Sequence, residues 1–121
     1  NDGSKWESID FCKTYFNANG KLYLLPTGLW KQNNERYAAY FFENGKVEKW
    51  DSLTATSGCS YFNGAYGVTP PAGYTNVIFC RMNGAANKNE WGNKWDQTGN
   101  LKVSGGNLYT MPSATWSTVS Y

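Results

Sequence analysis

Residues 36–50 read RYAAYFFENGKVEKW, and this stretch decides the fold that the sequence predicts. Residues 36–42 combine aromatic side chains with alanine, a composition typical of a β-strand because rings pack well on a pleated surface. Side chains alternate between the two faces of a strand, so Tyr37, Ala39 and Phe41 form one face, which we predict to be the core face. The opposite face, which is free to meet a ligand or to pack on a neighbouring loop, carries Arg36, Ala38, Tyr40 and Phe42.

The dipeptide Asn44-Gly45 follows this strand and is a strong signal for a tight hairpin turn. Residues 46–50 (KVEKW) are the predicted return strand, which ends in Trp50. Antiparallel pairing across the hairpin would place Trp50 beside Tyr40 on one face of the sheet. The pair is therefore a candidate binding surface, and the alternative is that Trp50 only packs against the hairpin.

Glycine, asparagine, proline and serine divide the chain into short apolar runs, a pattern typical of antiparallel strands and turns. A chain of 121 residues fits one domain with a hydrophobic core of its own. We therefore predict an all-β fold, an antiparallel β-sandwich. Further predicted strands are residues 21–25, one or two within 59–69, and residues 76–82, 101–103, 107–111 and 114–121.

The first 20 residues are predicted as an N-terminal extension, and residues 21–121 as the sandwich module. Ser4 can cap a short helix, with apolar residues following at intervals of three and four. These apolar residues are Trp6, Ile9, Cys12 and Phe16. An irregular extension is the other interpretation of the segment.

Three cysteines, Cys12, Cys59 and Cys80, leave at least one thiol without a partner in the chain. No two of them have the CxxC spacing of a zinc or redox site. A bridge between Cys12 and Cys59 is one option that the sequence leaves open.

Residues 83–100 are predicted to be a long polar loop that contains Trp91 and Trp95. Its amide side chains can donate and accept hydrogen bonds at once, which suits vicinal hydroxyl groups. Each tryptophan could supply a stacking surface or be buried under the loop, and we take Trp91 as the exposed one. We expect Lys94 and Gln97 to offer polar contacts.

Composition argues against several functional classes. The 11 basic and 9 acidic residues are scattered, so no nucleic-acid surface is predicted. No apolar run approaches the roughly 18 residues that cross a bilayer, and the start NDGSKWES lacks the pattern of a signal peptide. We expect either that an export signal has been removed or that the chain is a domain excised from a larger protein.

Histidine is absent, which removes the commonest general base and the commonest metal ligand. Asp51, Glu90 and Asp96 are the acidic candidates for glycoside hydrolysis, which needs two carboxylates flanking the bond. Each lies in a turn-like context, and no pair stands out. We predict that the protein is not an enzyme and that it has no metal site and no cofactor.

Four segments stand out in chain order: RYAAYFFENGKVEKW, GYTNVIFCRMN, NEWGNKWDQTGNL and ATWSTVSY. Together they resemble the starch-binding modules of carbohydrate-binding module family 26. The resemblance covers residues 21–121, and the strings VIFCRMN and WGNKWDQT are more specific than a generic strand pattern.

This resemblance implies a non-catalytic, immunoglobulin-like sandwich that binds α-1,4-glucan (starch and maltooligosaccharides) through an aromatic pair and nearby loops. Two rings at an angle match the curved apolar face of such a glucan. Modules of this kind are attached to amylases and to starch-adhesion proteins of bacteria. We therefore expect an extracellular or cell-surface location, a monomer, and other domains of a larger secreted or surface protein as partners, with no nucleic acid and no membrane.

Carried over by position, the resemblance assigns the aromatic pair to Tyr40 and Trp50. Ala38 stands where a common pattern of the family has a second tyrosine, which Tyr37 or a loop tryptophan could replace. Leu108 stands where similar sequences carry a cysteine, so Cys80 is expected to be free and buried. The predicted ligand-binding residues are Tyr40, Trp50, Arg36, Tyr37, Trp91, Lys94 and Gln97. The alternative function is an immunoglobulin-like module for protein–protein or structural interactions.

Overall fold

A computed structural model describes residues 21–55, 64–106 and 108–117. These residues form two β-sheets, and the predicted all-β sandwich is confirmed. The predicted N-terminal helix, Cys12 and Cys59 lie outside the described residues. The immunoglobulin-like description and the domain boundary at residue 21 stay predictions.

Ten strands and three short 3-10 turns make up the described part of the chain. The strands are β1 (Leu22–Pro26), β2 (Glu35–Phe42), β3 (Lys49–Ser52), β4 (Thr54–Ala55), β5 (Tyr66–Val68), β6 (Asn76–Asn83), β7 (Lys94–Gln97), β8 (Leu101–Lys102), β9 (Leu108–Met111) and β10 (Thr115–Ser117). The 3-10 turns are Gly28–Lys31, Trp91–Asn93 and Val103–Gly105.

The first sheet has the strand order β10-β9-β1-β5-β4, and the second has the order β3-β2-β6-β7 with β8 also paired to β6. Every pairing is antiparallel except that of β1 with β9, which run parallel. The sandwich is therefore mainly antiparallel, as predicted, and this one pairing is the exception. The two strands are far apart in sequence, so no hairpin forces them to run antiparallel.

The core lies between the two sheets. The alternation predicted for β2 is confirmed, because Tyr37, Ala39 and Phe41 all point into this core. Val77 and Phe79 of β6 join them from the adjacent strand. Other buried members are Leu22, Leu24, Trp30, Leu53, Val68, Tyr74, Tyr109 and Met111. The opposite face of β2 and β6 is therefore the outer face of the second sheet.

The connection between β2 and β3 is longer than the tight turn that Asn44-Gly45 predicts. Gly45 has a φ of +78°, the left-handed conformation for which glycine is suited. Pairing resumes only at Lys49, and Val47 in the connection is 81% exposed. The Tyr74 hydroxyl donates a hydrogen bond to the Val47 carbonyl at 2.5 Å, which links this connection to residue 74.

Residues 83–100, predicted as one loop, contain strand β7. The sequence does not predict this strand, because three of its four residues are exposed and no alternation of apolar and polar residues marks it. Thr98 follows β7 and is buried, and it is hydrogen-bonded to Phe79 of β6. Its backbone N–H donates to the Phe79 carbonyl at 2.9 Å, and its hydroxyl accepts from the Phe79 N–H at 3.1 Å.

Candidate functional site

The outer face of the second sheet brings most of the predicted site residues together. Strands β3, β2, β6 and β7 lie side by side, and their outward residues form three rungs across the sheet. The rungs are Trp50–Tyr40–Ile78, Ser52–Ala38–Cys80–Gln97 and Arg36–Met82–Lys94. The site is therefore assembled by sheet register: β2, β3 and β6 each supply every second residue, whereas β7 supplies Lys94 and Gln97 across an irregularity in its pairing with β6.

A small apolar cluster forms the floor of this face. Ala38, Cys80 and Met82 are completely shielded from solvent, and Ile78 is nearly so. Tyr40, Phe42 and Trp50 pack against the four and cover them in part. The outer face thus has its own small core, on which the rings are supported.

Three aromatic rings lie in mutual contact above the floor. Tyr40 and Trp50 are direct cross-strand partners, as predicted, with ring centroids 5.0 Å apart and planes inclined by 60°. Trp91 meets both, at centroid distances of 4.6 Å to Tyr40 and 4.8 Å to Trp50. Phe42 extends the group, 5.7 Å from Tyr40. We call Tyr40, Trp50 and Trp91 the ring cluster.

The ring cluster is partly buried and partly open. Trp91 is 42% exposed, whereas Tyr40 and Trp50 are half-buried. Burial raises the pKa of Tyr40, and the negative charge of Glu48 adds to the effect. The Tyr40 hydroxyl therefore stays protonated in neutral solution and can donate a hydrogen bond.

The segment that carries Trp91 is fixed to the sheet by Arg36. The guanidinium donates from Nε to the Ala86 carbonyl at 2.6 Å, from Nη1 to Asn89 Oδ1 at 2.6 Å, and from Nη2 to the Lys88 carbonyl at 2.9 Å. Arg36 thus points into the site region, as predicted, but three of its five N–H groups are used within the protein.

Lys94 and Gln97 lie on the outer face at the β7 edge. Lys94 Nζ donates to Gln97 Oε1 at 2.5 Å and lies 5.3 Å from the centre of the Trp91 ring. The ammonium group is thereby held beside an aromatic surface, where cation–π attraction favours it. These two polar groups are candidates for hydroxyl contacts beside Trp91.

Tyr37 does not belong to the site, and its predicted ligand-binding role is wrong. It points into the core and is 2% exposed, and its hydroxyl lies 2.5 Å from the Trp30 carbonyl oxygen and 2.6 Å from Glu35 Oε2, either of which can accept its proton. Burial, with the adjacent Glu35 carboxylate, raises the pKa of Tyr37. The physical reason is alternation, since Tyr37 and Tyr40 lie on opposite faces of β2.

Trp95, which lies in β7, packs against Arg81 and is not among the rings of the ring cluster. It is 40% exposed, so the expected contrast with Trp91 is not found. The Arg81 guanidinium lies 4.9 Å from the centre of the Trp95 ring. Arg81 also forms an ion pair with Asp96 at 2.8 Å.

Acidic residues do not form a constellation among the residues described here. Asp96 is paired with Arg81, and Glu90 lies 3.5 Å from Lys88. Asp51 is exposed on β3. Within ranges 21–55, 64–106 and 108–117, no group of three or more histidine, cysteine or acidic residues is placed to hold a metal ion.

Cys80 is free and buried, as predicted. Burial raises the pKa of the thiol to about 12, against a smaller opposing effect of the Lys94 charge. The reactive thiolate form is therefore scarce at physiological pH, and the residue behaves as a small apolar side chain.

Sequence reasoning missed two features of the site. Phe42 was on the outward face by alternation but was not assigned a role. Asn89 Nδ2 donates to Ser52 Oγ at 3.1 Å and ties the loop to the β3 edge. No sequence signal indicates this second contact, because it depends on the tertiary position of the loop.

Comparison with protein-family models, with curated proteins and with solved structures finds no match. In the part of the chain that the structure describes, no helix is long and apolar enough to cross a membrane.

Proposed function

We propose that this protein is a non-catalytic carbohydrate-binding module that binds α-1,4-glucan at the ring cluster. The observation that carries the proposal is the cross-strand pair Tyr40–Trp50, with Trp91 against both rings on an outward sheet face. Pyranose rings present C–H groups that pack on aromatic faces, and rings inclined to one another suit a curved chain of sugars. The resemblance to starch-binding modules of family 26 supports the same substrate.

Polar groups beside the rings suit the hydroxyl groups of a glucan. Lys94 Nζ offers donors, and the Gln97 amide offers a donor and an acceptor. Asn93 lies in the same segment, but its Nδ2 group already donates to the Lys88 carbonyl. The Tyr40 hydroxyl adds one more group. Recognition thus combines apolar stacking with a few directional hydrogen bonds, as in most small-ligand sites.

The expected affinity is modest. Each ring that shields roughly 100 Å² of apolar surface contributes about 2.5 kcal/mol. Lost translational and rotational freedom offsets much of that gain. A dissociation constant on the order of 10 μM to 1 mM follows for a single site.

The proposed role is adsorption, which keeps a larger protein near insoluble starch. We infer an extracellular or cell-surface location, and immunoglobulin-like topology, from the same family resemblance. The protein would act as a monomer, since one ring cluster suffices for binding.

Titration calorimetry with maltoheptaose tests the proposal. Wild-type protein should bind, and Tyr40→Ala, Trp50→Ala and Trp91→Ala should each lose roughly tenfold or more in affinity, since each removes about 1.4 kcal/mol or more of contact energy. Trp95→Ala is the matched control, because Trp95 is equally exposed but packs on Arg81. Equal losses in Trp95→Ala and Trp91→Ala would contradict the placement of the site.

A separate incubation with maltoheptaose tests the non-catalytic assignment. The oligosaccharide should keep its length, and any shortened product would overturn that assignment.

A further inference from the structure

We propose that Arg36 is a positioning residue, which holds residues 86–89 so that Trp91 lies against Tyr40 and Trp50, and that it does not itself bind the sugar. The inference rests on the proposed function of the ring cluster. In this proposal Arg36 does not contact the ligand but holds Trp91, which does.

The first argument is the direction of the three Arg36 hydrogen bonds. All three end on residues 86–89, two of them on backbone carbonyls, of Ala86 and Lys88. A guanidinium is planar and rigid, so three simultaneous bonds define both the distance and the orientation of that segment. Arg36 lies on β2, the strand that also carries Tyr40. The same strand therefore supplies one ring of the cluster and the anchor for another.

The second argument is that the segment anchored by Arg36 is itself linked to Asn93, on the other side of Trp91 in sequence. The Lys88 carbonyl accepts from Arg36 Nη2 and also from Asn93 Nδ2 at 2.9 Å. Residue 88 is thus joined to the last residue of the turn Trp91–Asn93, and Trp91 lies between the two joined residues in sequence. Asn89 accepts from Arg36 through Oδ1 and donates through Nδ2 to Ser52 on β3. The segment is consequently tied to the strands of both Tyr40 and Trp50.

The third argument is that Trp91 has little other local support. Its 3-10 turn is three residues long and has no side-chain cap. Such turns are too short to be stable alone. Residues 84–93 also lie outside the sheet pairings, which end at Asn83 and resume at Lys94. The position of Trp91 therefore depends on side-chain anchors, among which Arg36 supplies three bonds.

A double-mutant cycle tests the positioning role. Affinity for soluble starch is measured by affinity gel electrophoresis for wild type, Arg36→Gln, Trp91→Ala and the double variant. In the wild-type background, Arg36→Gln should reduce affinity by no more than Trp91→Ala does. In the Trp91→Ala background, Arg36→Gln should change affinity by less than about twofold, because the effects of coupled residues are non-additive. An equal loss in both backgrounds would show a direct sugar contact and overturn the proposal.

Two further variants separate geometry from charge. Arg36→Lys keeps the charge but cannot make three fixed bonds, so it should not restore affinity. Lys31→Gln removes one positive charge from the exposed end of the turn Gly28–Lys31 and should leave binding unchanged. Full binding in Arg36→Lys would contradict the proposal.

A spectroscopic readout tests the inference independently of binding. In protein labelled with 5-fluorotryptophan, the ¹⁹F resonance of Trp91 is assigned by its loss in Trp91→Phe. Arg36→Gln should shift this resonance, while that of the core residue Trp30 stays in place and shows that the fold is intact. An unchanged Trp91 resonance would overturn the positioning role, whether or not the wild type binds glucan.

If Arg36→Gln does not fold, Asn89→Ala is the second variant. It removes one of the three acceptors and the bond to Ser52 without altering β2. The same shift of the Trp91 resonance is expected, and its absence would contradict the proposal. Failure of wild-type protein to bind starch or maltoheptaose would instead refute the proposed function alone.

Discussion

The rings of Tyr40 and Trp91 lie with centroids 4.6 Å apart and planes inclined by 58°, although one belongs to a central strand and the other to a distant turn. Their contact converts a cross-strand aromatic pair into a cluster of three rings. It also places the loop beside the sheet face where the rings are supported. The binding surface that we propose is thus shared between a rigid strand and a segment held by side-chain hydrogen bonds.

Substituting Ala38 by leucine should destabilise the fold. Ala38 is fully buried on the outer face, between Ser52 and Cys80 in one rung of the sheet. A larger side chain there must displace the packed neighbours, and we expect a loss of about 1–3 kcal/mol in the free energy of unfolding. Urea unfolding measures it.

Ala85→Leu is the matched control for this substitution, because Ala85 is exposed. Its free energy of unfolding should change by less than about 0.5 kcal/mol. An equally small change in Ala38→Leu would show that the floor of the site is not tightly packed.

Cys80 should resist alkylation in the folded protein. Burial raises the pKa of its thiol to about 12, so little thiolate forms at neutral or mildly alkaline pH. Treatment with iodoacetamide followed by peptide mass spectrometry distinguishes Cys80 from the other two cysteines. Tyr40→Ala should accelerate the labelling, because Tyr40 packs against the cluster that contains Cys80. Labelling of native Cys80 at the rate found in urea would contradict the buried position.

Glu43 should make the stability depend on pH. Its carboxylate accepts from the Thr75 hydroxyl at 2.6 Å and from the Thr75 N–H at 2.8 Å, which lowers its pKa, and the charges of Lys102 and Lys46 lower it further. A lowered pKa in the folded state means that the contribution is complete above the usual value of 4.5 and is lost as pH falls through the folded value.

Thermal unfolding of Glu43→Gln and wild type across acid pH measures this dependence. The wild type should be the more stable at neutral pH, and the difference should shrink as pH falls below about 4.5. A difference that stays constant with pH would show that the carboxylate is not involved.

Local sequence patterns predicted the all-β fold and the Tyr40–Trp50 pair of the site. Alternation in residues 36–42 separates Phe41 from Tyr40, and the hairpin places Trp50 opposite Tyr40. These relationships need only the period of a strand and the antiparallel pairing of neighbours. For the same reason, alternation alone argues against the site role given to Tyr37.

The rest depended on contacts between residues distant in sequence. Strand β7 has an exposed, polar sequence, so no hydrophobic pattern reveals it. The parallel pairing of β1 with β9 is a long-range choice that the composition of neither strand specifies. The bonds from Arg36 to residues 86–89 likewise appear only when the loop is placed in three dimensions.

Co-sedimentation with insoluble starch tests the central claim most directly. Wild-type protein and Trp95→Ala should sediment with starch, whereas Tyr40→Ala/Trp50→Ala, checked to be folded, should remain in the supernatant. Cellulose is the matched polysaccharide, and we expect no sedimentation with it because its flat β-linked chains do not suit the inclined rings. Wild-type protein that stays in solution with starch, or a folded Tyr40→Ala/Trp50→Ala variant that sediments as the wild type does, would contradict the account.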